Sequence, residues 1–161
     1  MKAQCTCWAV ALAFALSLPT FAEEKEEAVK FDKLPAAAQK AIKEQAGNGR
    51  IIAVSKETSA EGVAFEARVE QGKRKFEVSV SAEGKLLSIE EQIALKDLPE
   101  PVRKTMQEQA AGGKLSTIEK VTEGGKTFYE AKATKSGKQT EIQVADDGKL
   151  LKTEDLTKKK E

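Results

Sequence analysis

Hydrophobic and polar residues alternate with a period of two along several short stretches of this chain. Between residues 63 and 70 every second position is apolar and most of the others are charged, and the alternation returns over residues 76–81. This period places one side of an extended strand in a core and the other side in water. Turn sequences that contain glycine, at 71–73 and 82–85, separate these stretches. We therefore predict antiparallel strands joined by tight turns.

A helical period precedes these strands. Leu34, Ala38 and Ile42 recur at the spacing that forms a single apolar stripe on a helix. Pro35 suits the first helical turn, where its missing N–H costs nothing, and Gly47 can take the left-handed conformation that ends a helix. The fold class predicted from these patterns is α+β. Each module has one helix that packs on a four-stranded antiparallel sheet.

The whole pattern occurs twice. A Leu-Pro pair begins at Leu34 and again at Leu98, about 64 residues later, and the sequence Gly-Lys-Leu-Leu returns at the same spacing. Roughly 18 of about 57 aligned positions are identical, which is well above chance. The sequence thus predicts two tandem modules, at residues 32–92 and 96–155. They should abut, because the connection between them has almost no slack.

These features resemble a known family. The Leu-Pro pair that opens a short helix, the glycine stop and the turn sequence Asp-Asp-Gly-Lys-Leu-Leu at residues 146–151 look like the PepSY-like domains. Those domains are related in fold to the two modules of beta-lactamase inhibitory protein. The resemblance covers both repeats, about residues 32–155. It implies a secreted or periplasmic binding module that holds or inhibits another protein, such as a peptidase.

The chain departs from that inhibitor in its aromatic content. Beta-lactamase inhibitory protein presents a broad face rich in aromatic residues. Here only five aromatic residues follow position 22, namely Phe31, Phe65, Phe76, Phe128 and Tyr129. Core packing is expected to take most of them. The resemblance therefore supports the fold, and the composition argues against inhibition of beta-lactamase itself.

The N-terminus has the pattern of a secretory signal peptide. Lys2 is followed by an uncharged apolar run too short to span a membrane, and a small residue, Ala22, precedes acidic residues. We predict cleavage after Ala22, a charged linker at 23–31, and a periplasmic or secreted mature chain with no stable membrane insertion. Both cysteines leave with the signal peptide, so packing alone must stabilise the mature protein. Residues 156–161 form a charged tail.

Composition excludes several function classes. The 27 basic and 26 acidic residues are interleaved along the chain, so a nucleic-acid partner is not expected. The chain has no histidine, and its cysteines lie in the signal peptide, which excludes catalytic Ser-His-Asp or Cys-His systems and His/Cys zinc sites. The acidic pair Glu90-Glu91 is interpreted as solvated surface. The turn at 146–148 is interpreted as a hairpin rather than a calcium loop. We predict no enzyme, no cofactor and no metal.

The water-facing sides of the strands are the candidate binding surface. Tyr129 aligns with core residue Phe65, so the adjacent Phe128 should point outward, either as a partner anchor or to pack between the modules. Charged residues surround it. The predicted partner-binding residues are Phe128, Glu130, Lys132, Glu66 and Arg68. The favoured function is binding of another protein or peptide through the open sheet faces or an exposed edge strand. The alternative is binding of a small ligand or divalent cation by carboxylates on the sheet.

Overall fold

A computed structural model describes residues 25–59 and 62–157 of the chain. The predicted signal peptide, its cleavage site at Ala22 and the lysines of the C-terminal tail lie outside the described residues.

Within that part of the chain, nine strands form one antiparallel sheet in which spatial order equals chain order. Two helices, α1 (Ala36–Ala46) and α2 (Glu100–Ala110), each follow a short 3-10 turn. The strands are β1 (Lys25–Ala28), β2 (Arg50–Ser59), β3 (Gly62–Gln71), β4 (Arg74–Ser81), β5 (Leu86–Gln92), β6 (Lys114–Glu123), β7 (Lys126–Lys135), β8 (Lys138–Ala145) and β9 (Leu150–Asp155).

Each helix packs on one face of the sheet and closes a core of its own. The two-residue alternation brings apolar side chains from neighbouring strands into rows, such as Ala67, Val78 and Ile89. Helix α1 covers the first set of rows, and α2 covers the second. The equivalent residues Ile42 and Met106 are fully buried at the centres of these two cores. The predicted apolar stripes are therefore the faces that the helices bury.

The two modules are joined edge to edge. Strand β5 of the first module pairs with β6 of the second, from Ser88 opposite Glu123 to Gln92 opposite Glu119. The predicted helix-plus-four-strands unit is present twice, as α1 with β2–β5 and α2 with β6–β9. The prediction of a four-stranded sheet for each module holds only in part, because the two units share one continuous sheet with β1 as a ninth strand. Sequence periodicity within a strand carries no information about pairing between modules.

Strand β1 lies in the segment predicted as a charged linker. Glu26 lies opposite Glu57 on β2, just as Glu90 lies opposite Val121 on β6. Residues 26 and 90, like residues 57 and 121, are one repeat apart. The repeat therefore begins upstream of the predicted module start, and β1 takes on β2 the place that the end of β5 takes on β6.

The Gly-Lys-Leu-Leu turns fix each helix against its sheet. Gly148 has φ +88, and a Cβ there would lie 2.6 Å from Cβ of Pro101, at the start of α2. The hydroxyl of Thr105 donates a hydrogen bond of 2.7 Å to the carbonyl of Gly148. Gly148 N–H in turn donates to the carbonyl of Ala145, so the acidic turn is the predicted hairpin. Only glycine fits here, because both the backbone conformation and the close approach exclude a side chain.

Candidate binding face

The sheet face opposite the helices, here called the open face, carries a line of acidic residues. Because directly paired residues share a face and alternate residues return to it, strand register identifies its members. Every strand contributes at least one glutamate to this face, and nine of these, one from each strand, are here called the glutamate row: Glu26, Glu57, Glu66, Glu77, Glu90, Glu119, Glu130, Glu141 and Glu154.

Many members of the row lie directly opposite one another. Four cross-strand pairs are glutamate against glutamate, namely Glu26–Glu57, Glu77–Glu90, Glu119–Glu130 and Glu141–Glu154. Like charges in directly opposed positions destabilise a sheet. These four pairs therefore lack the complementary charges that Arg68 opposite Glu77 and Lys132 opposite Glu141 provide on the same face. Folding alone gives no reason for this arrangement.

Burial and mutual repulsion hold protons on the centre of the row. Burial, followed by the charges of Glu77, Glu57 and Glu90, raises the pKa of Glu66 to about 8. Burial and then the neighbouring Glu141, Glu90 and Glu119 raise the pKa of Glu130 to about 7. The pKa values of Glu90 and Glu119 are also raised, first by burial. These shifts all oppose ionisation.

Hydrogen-bond donors satisfy part of the row. Arg68 Nε donates to Oε1 of Glu77 at 2.7 Å, and Lys152 Nζ lies 2.5 Å from Oε2 of Glu154. The side-chain amide of Gln143 donates to Oε1 of Glu130 at 2.8 Å. These contacts relieve the row only in part, because the pKa of Glu130 stays raised despite its amide donor.

Two hollows lie in the open face. The first hollow has a volume of about 710 Å³, and its lining includes Glu66, Glu90, Glu130, Val121 and Phe128. The second hollow, of about 510 Å³, is lined in part by Arg68 and Lys132 and shares Glu90 with the first. The open face thus offers a space large enough for several side chains of a partner, with carboxyl groups around an apolar floor.

The apolar floor of the first hollow comes from β6 and β7. Val121 is only 3% exposed although it lies on the open face, where it is directly opposite both Glu90 and Phe128. Phe128 is half-buried rather than fully exposed. Phe128 thus lies beside the junction of the two modules and also lines the hollow.

The five predicted binding residues share the open face, in two groups. Glu66, Glu130 and Phe128 line the first hollow, whereas Arg68 and Lys132 line the second. Sequence reasoning missed Glu90 and Glu119, which occupy the β5–β6 junction. The interpretation of Glu90 as ordinary solvated surface was wrong, because the strand pairing at the junction half-buries it and raises its pKa. The sequence feature that could have revealed them is the glutamate in an outward position of every strand.

Comparison with known proteins agrees with this architecture. A family model described as "Putative beta-lactamase-inhibitor-like, PepSY-like" matches the chain twice in tandem, at residues 20–88 and 87–152. The chain belongs to the PepSY-like family. The first match extends upstream of the predicted module start and includes β1. No curated protein sequence matches the chain.

Solved structures show the same fold at low sequence identity. A BLIP-like protein from Bacteroides fragilis has a TM-score of 0.63 and 22% identity, over 77% of this chain and 87% of that one. A Bacteroides eggerthii protein described as "putative periplasmic" has a TM-score of 0.68 and 15% identity, over 77% and 90% of the two chains. A DUF2874 family protein from Bacteroides ovatus has a TM-score of 0.66 and 14% identity, over 79% and 91%.

The described residues contain no helix with the length and apolar character that a membrane crossing needs. They also contain no group of three or more acidic, histidine or cysteine side chains arranged to hold a metal ion.

Proposed function

We propose that the mature chain is a non-enzymatic protein of the periplasm or the extracellular space that binds another protein or peptide through the open face. The observation that carries this proposal is the set of directly opposed glutamates that line the two hollows, namely Glu26–Glu57, Glu77–Glu90 and Glu119–Glu130. A sheet that needed only to fold and stay soluble would be more stable with complementary pairs there. Membership of the PepSY-like family and the sequence of the N-terminus support the compartment and the binding role.

The chemistry of the hollow favours a partner segment that carries lysine or arginine beside an apolar side chain. A cation placed among Glu66, Glu90 and Glu130 would offset their repulsion and promote their ionisation. An apolar side chain of the partner would contact Val121 and Phe128 on the floor. Because ionisation strengthens the attraction, affinity should rise with pH between about 6 and 8, the range set by the pKa values of Glu130 and Glu66.

The test is a crosslinking pull-down from the native cell envelope with the mature protein as bait. The variant Glu66→Gln/Glu90→Gln/Glu130→Gln should lose the specific partner, and Phe128→Ala should weaken its capture. The matched control, Glu44→Gln/Glu100→Gln/Glu108→Gln, replaces the same number of glutamates at exposed helix positions and should retain the partner. A specific partner captured equally by all variants would exclude the open face as the binding site.

Divalent-cation binding is the competing function, since it would draw on the same carboxylates. Calorimetric titration of the mature protein with calcium separates the two proposals. Protein binding predicts no heat of binding and an unchanged melting temperature in calcium. A saturable heat that Glu66→Gln abolishes would instead establish a cation site.

A further inference from the structure

Three strands of the sheet occupy equivalent places in the repeat. Strands β1, β5 and β9 carry Glu26-Glu27, Glu90-Glu91 and Glu154-Asp155, at intervals of one repeat. The first member of each pair belongs to the glutamate row. The three strands therefore run in the same direction and offer an equivalent edge to a neighbouring strand.

Two of these strands are paired in the same way. The end of β5 pairs with β6, and Ile93 N–H then donates to the carbonyl of Ile118 at 2.9 Å. Strand β1 pairs with β2, and Val29 N–H donates to the carbonyl of Val54 at 3.0 Å. Residues 29 and 93, like residues 54 and 118, are one repeat apart. A β5-type strand thus has a defined partner, which is a β2-type strand.

The third strand, β9, lies at the end of the sheet. Among the described residues it pairs with β8 alone. Leu151 is 50% exposed, whereas the equivalent Leu87, beside the β5–β6 junction, is half-buried. An edge strand of this kind is a template for a further strand.

We propose that two copies of the chain associate head to tail, with β9 of one copy adding to β2 of the next in the place that β1 occupies. The repeat sets the register: Glu154 lies opposite Glu57, and Thr153 lies opposite Thr58, as Lys25 does within one copy. This contact repeats the backbone pairing of the β5–β6 junction within each chain, with Glu57 in the place that Val121 has there. It does not depend on the open-face function.

Strand β1 limits this association because it already occupies the edge of β2 to which β9 would add. It has only four residues, and its described side chains are exposed, so it should open readily. Its tether to α1 nevertheless gives it an effective concentration on the order of millimolar at β2. The intact mature chain should therefore be a monomer when dilute. Because the contact is heterologous, it continues into chains of copies rather than closing as a dimer.

Removal of β1 tests the proposal. A chain that starts at Val29 should sediment as a monomer when dilute and as a series of larger species at rising concentration. Addition of a free peptide of residues 23–30 should return it to monomer by refilling the edge of β2. Circular dichroism confirms that the shortened chain is folded. A folded, shortened chain that stays monomeric at every concentration would overturn the proposal.

Disulfide trapping gives a second readout that also works in the chain starting at Glu23, which contains no native cysteine. The variant Thr58→Cys/Thr153→Cys should form a ladder of covalent oligomers on mild oxidation, because residues 58 and 153 meet only between copies. Neither single variant should form more than background dimer. A strong dimer from Thr153→Cys alone would show β9 paired with β9 and would contradict the head-to-tail arrangement.

Discussion

On the helix-covered face, cross-strand neighbours such as Ala67 and Val78 are apolar and fully buried, whereas on the open face glutamates lie opposite glutamates. Both faces belong to the same strands and use the same alternation. The first is explained by the free energy of folding alone, since every methyl group there leaves water. The second works against folding, since its groups repel one another and resist ionisation. The comparison separates the positions that folding accounts for from the positions that it does not.

Core truncation should show the largest effect on the helix-covered face. Ile42→Ala leaves a cavity under α1 and should lower the free energy of unfolding by about 2–5 kcal/mol. Met106→Ala, at the equivalent place under α2, should lower it by a similar amount. Urea denaturation followed by circular dichroism measures both. A loss below about 1 kcal/mol in either would mean that its module is loosely packed.

A glycine comparison measures how tightly the turns fix the helices. Gly148 and Gly137 both have positive φ, but only at Gly148 would a Cβ meet the helix, at Pro101. Gly148→Ala should therefore cost about 1–3 kcal/mol more than Gly137→Ala, which carries the backbone strain alone. Thermal unfolding of the two variants gives the difference. Equal losses of stability would show that the turn can move away from α2 without a measurable cost.

Ionisation of the open face at higher pH should lower the stability of the fold, and by less than the core truncations do. Glu66 has a folded-state pKa of about 8 against an ordinary value of 4.5, so the folded state binds more protons than the unfolded state between these values. Stability should therefore fall as pH rises from about 5 to 8, and Glu66→Gln should remove part of that fall. The exposed Glu44→Gln is the control. If the melting temperature falls equally with pH in both variants, the raised pKa of Glu66 is not the cause of the fall.

The helices and most strands could be predicted from the sequence, but their assembly into one sheet could be predicted only in part. Alternation and helical spacing located both helices and the strands β2–β9, because each signal is contained within one short segment. The outward positions of Glu66, Arg68, Glu130 and Lys132 followed from the same alternation. Strand β1 was missed, since four mostly polar residues show no period and pair only because β2 offers an edge. The glutamate row could not be predicted, because it depends on which strands become neighbours in the assembled sheet.

Agreement of spatial order with chain order also has a kinetic consequence. Every strand pairs with its immediate predecessor and successor, so each pairing waits only for a tight turn or for the one helical segment between the two strands. Proteins rich in such local pairings fold quickly for their size, since little loop entropy is lost before contacts form. A chain that is synthesised from its N-terminus can therefore add its strands to the sheet one after another. The β5–β6 pairing lets the completed first module serve as the template on which the second grows.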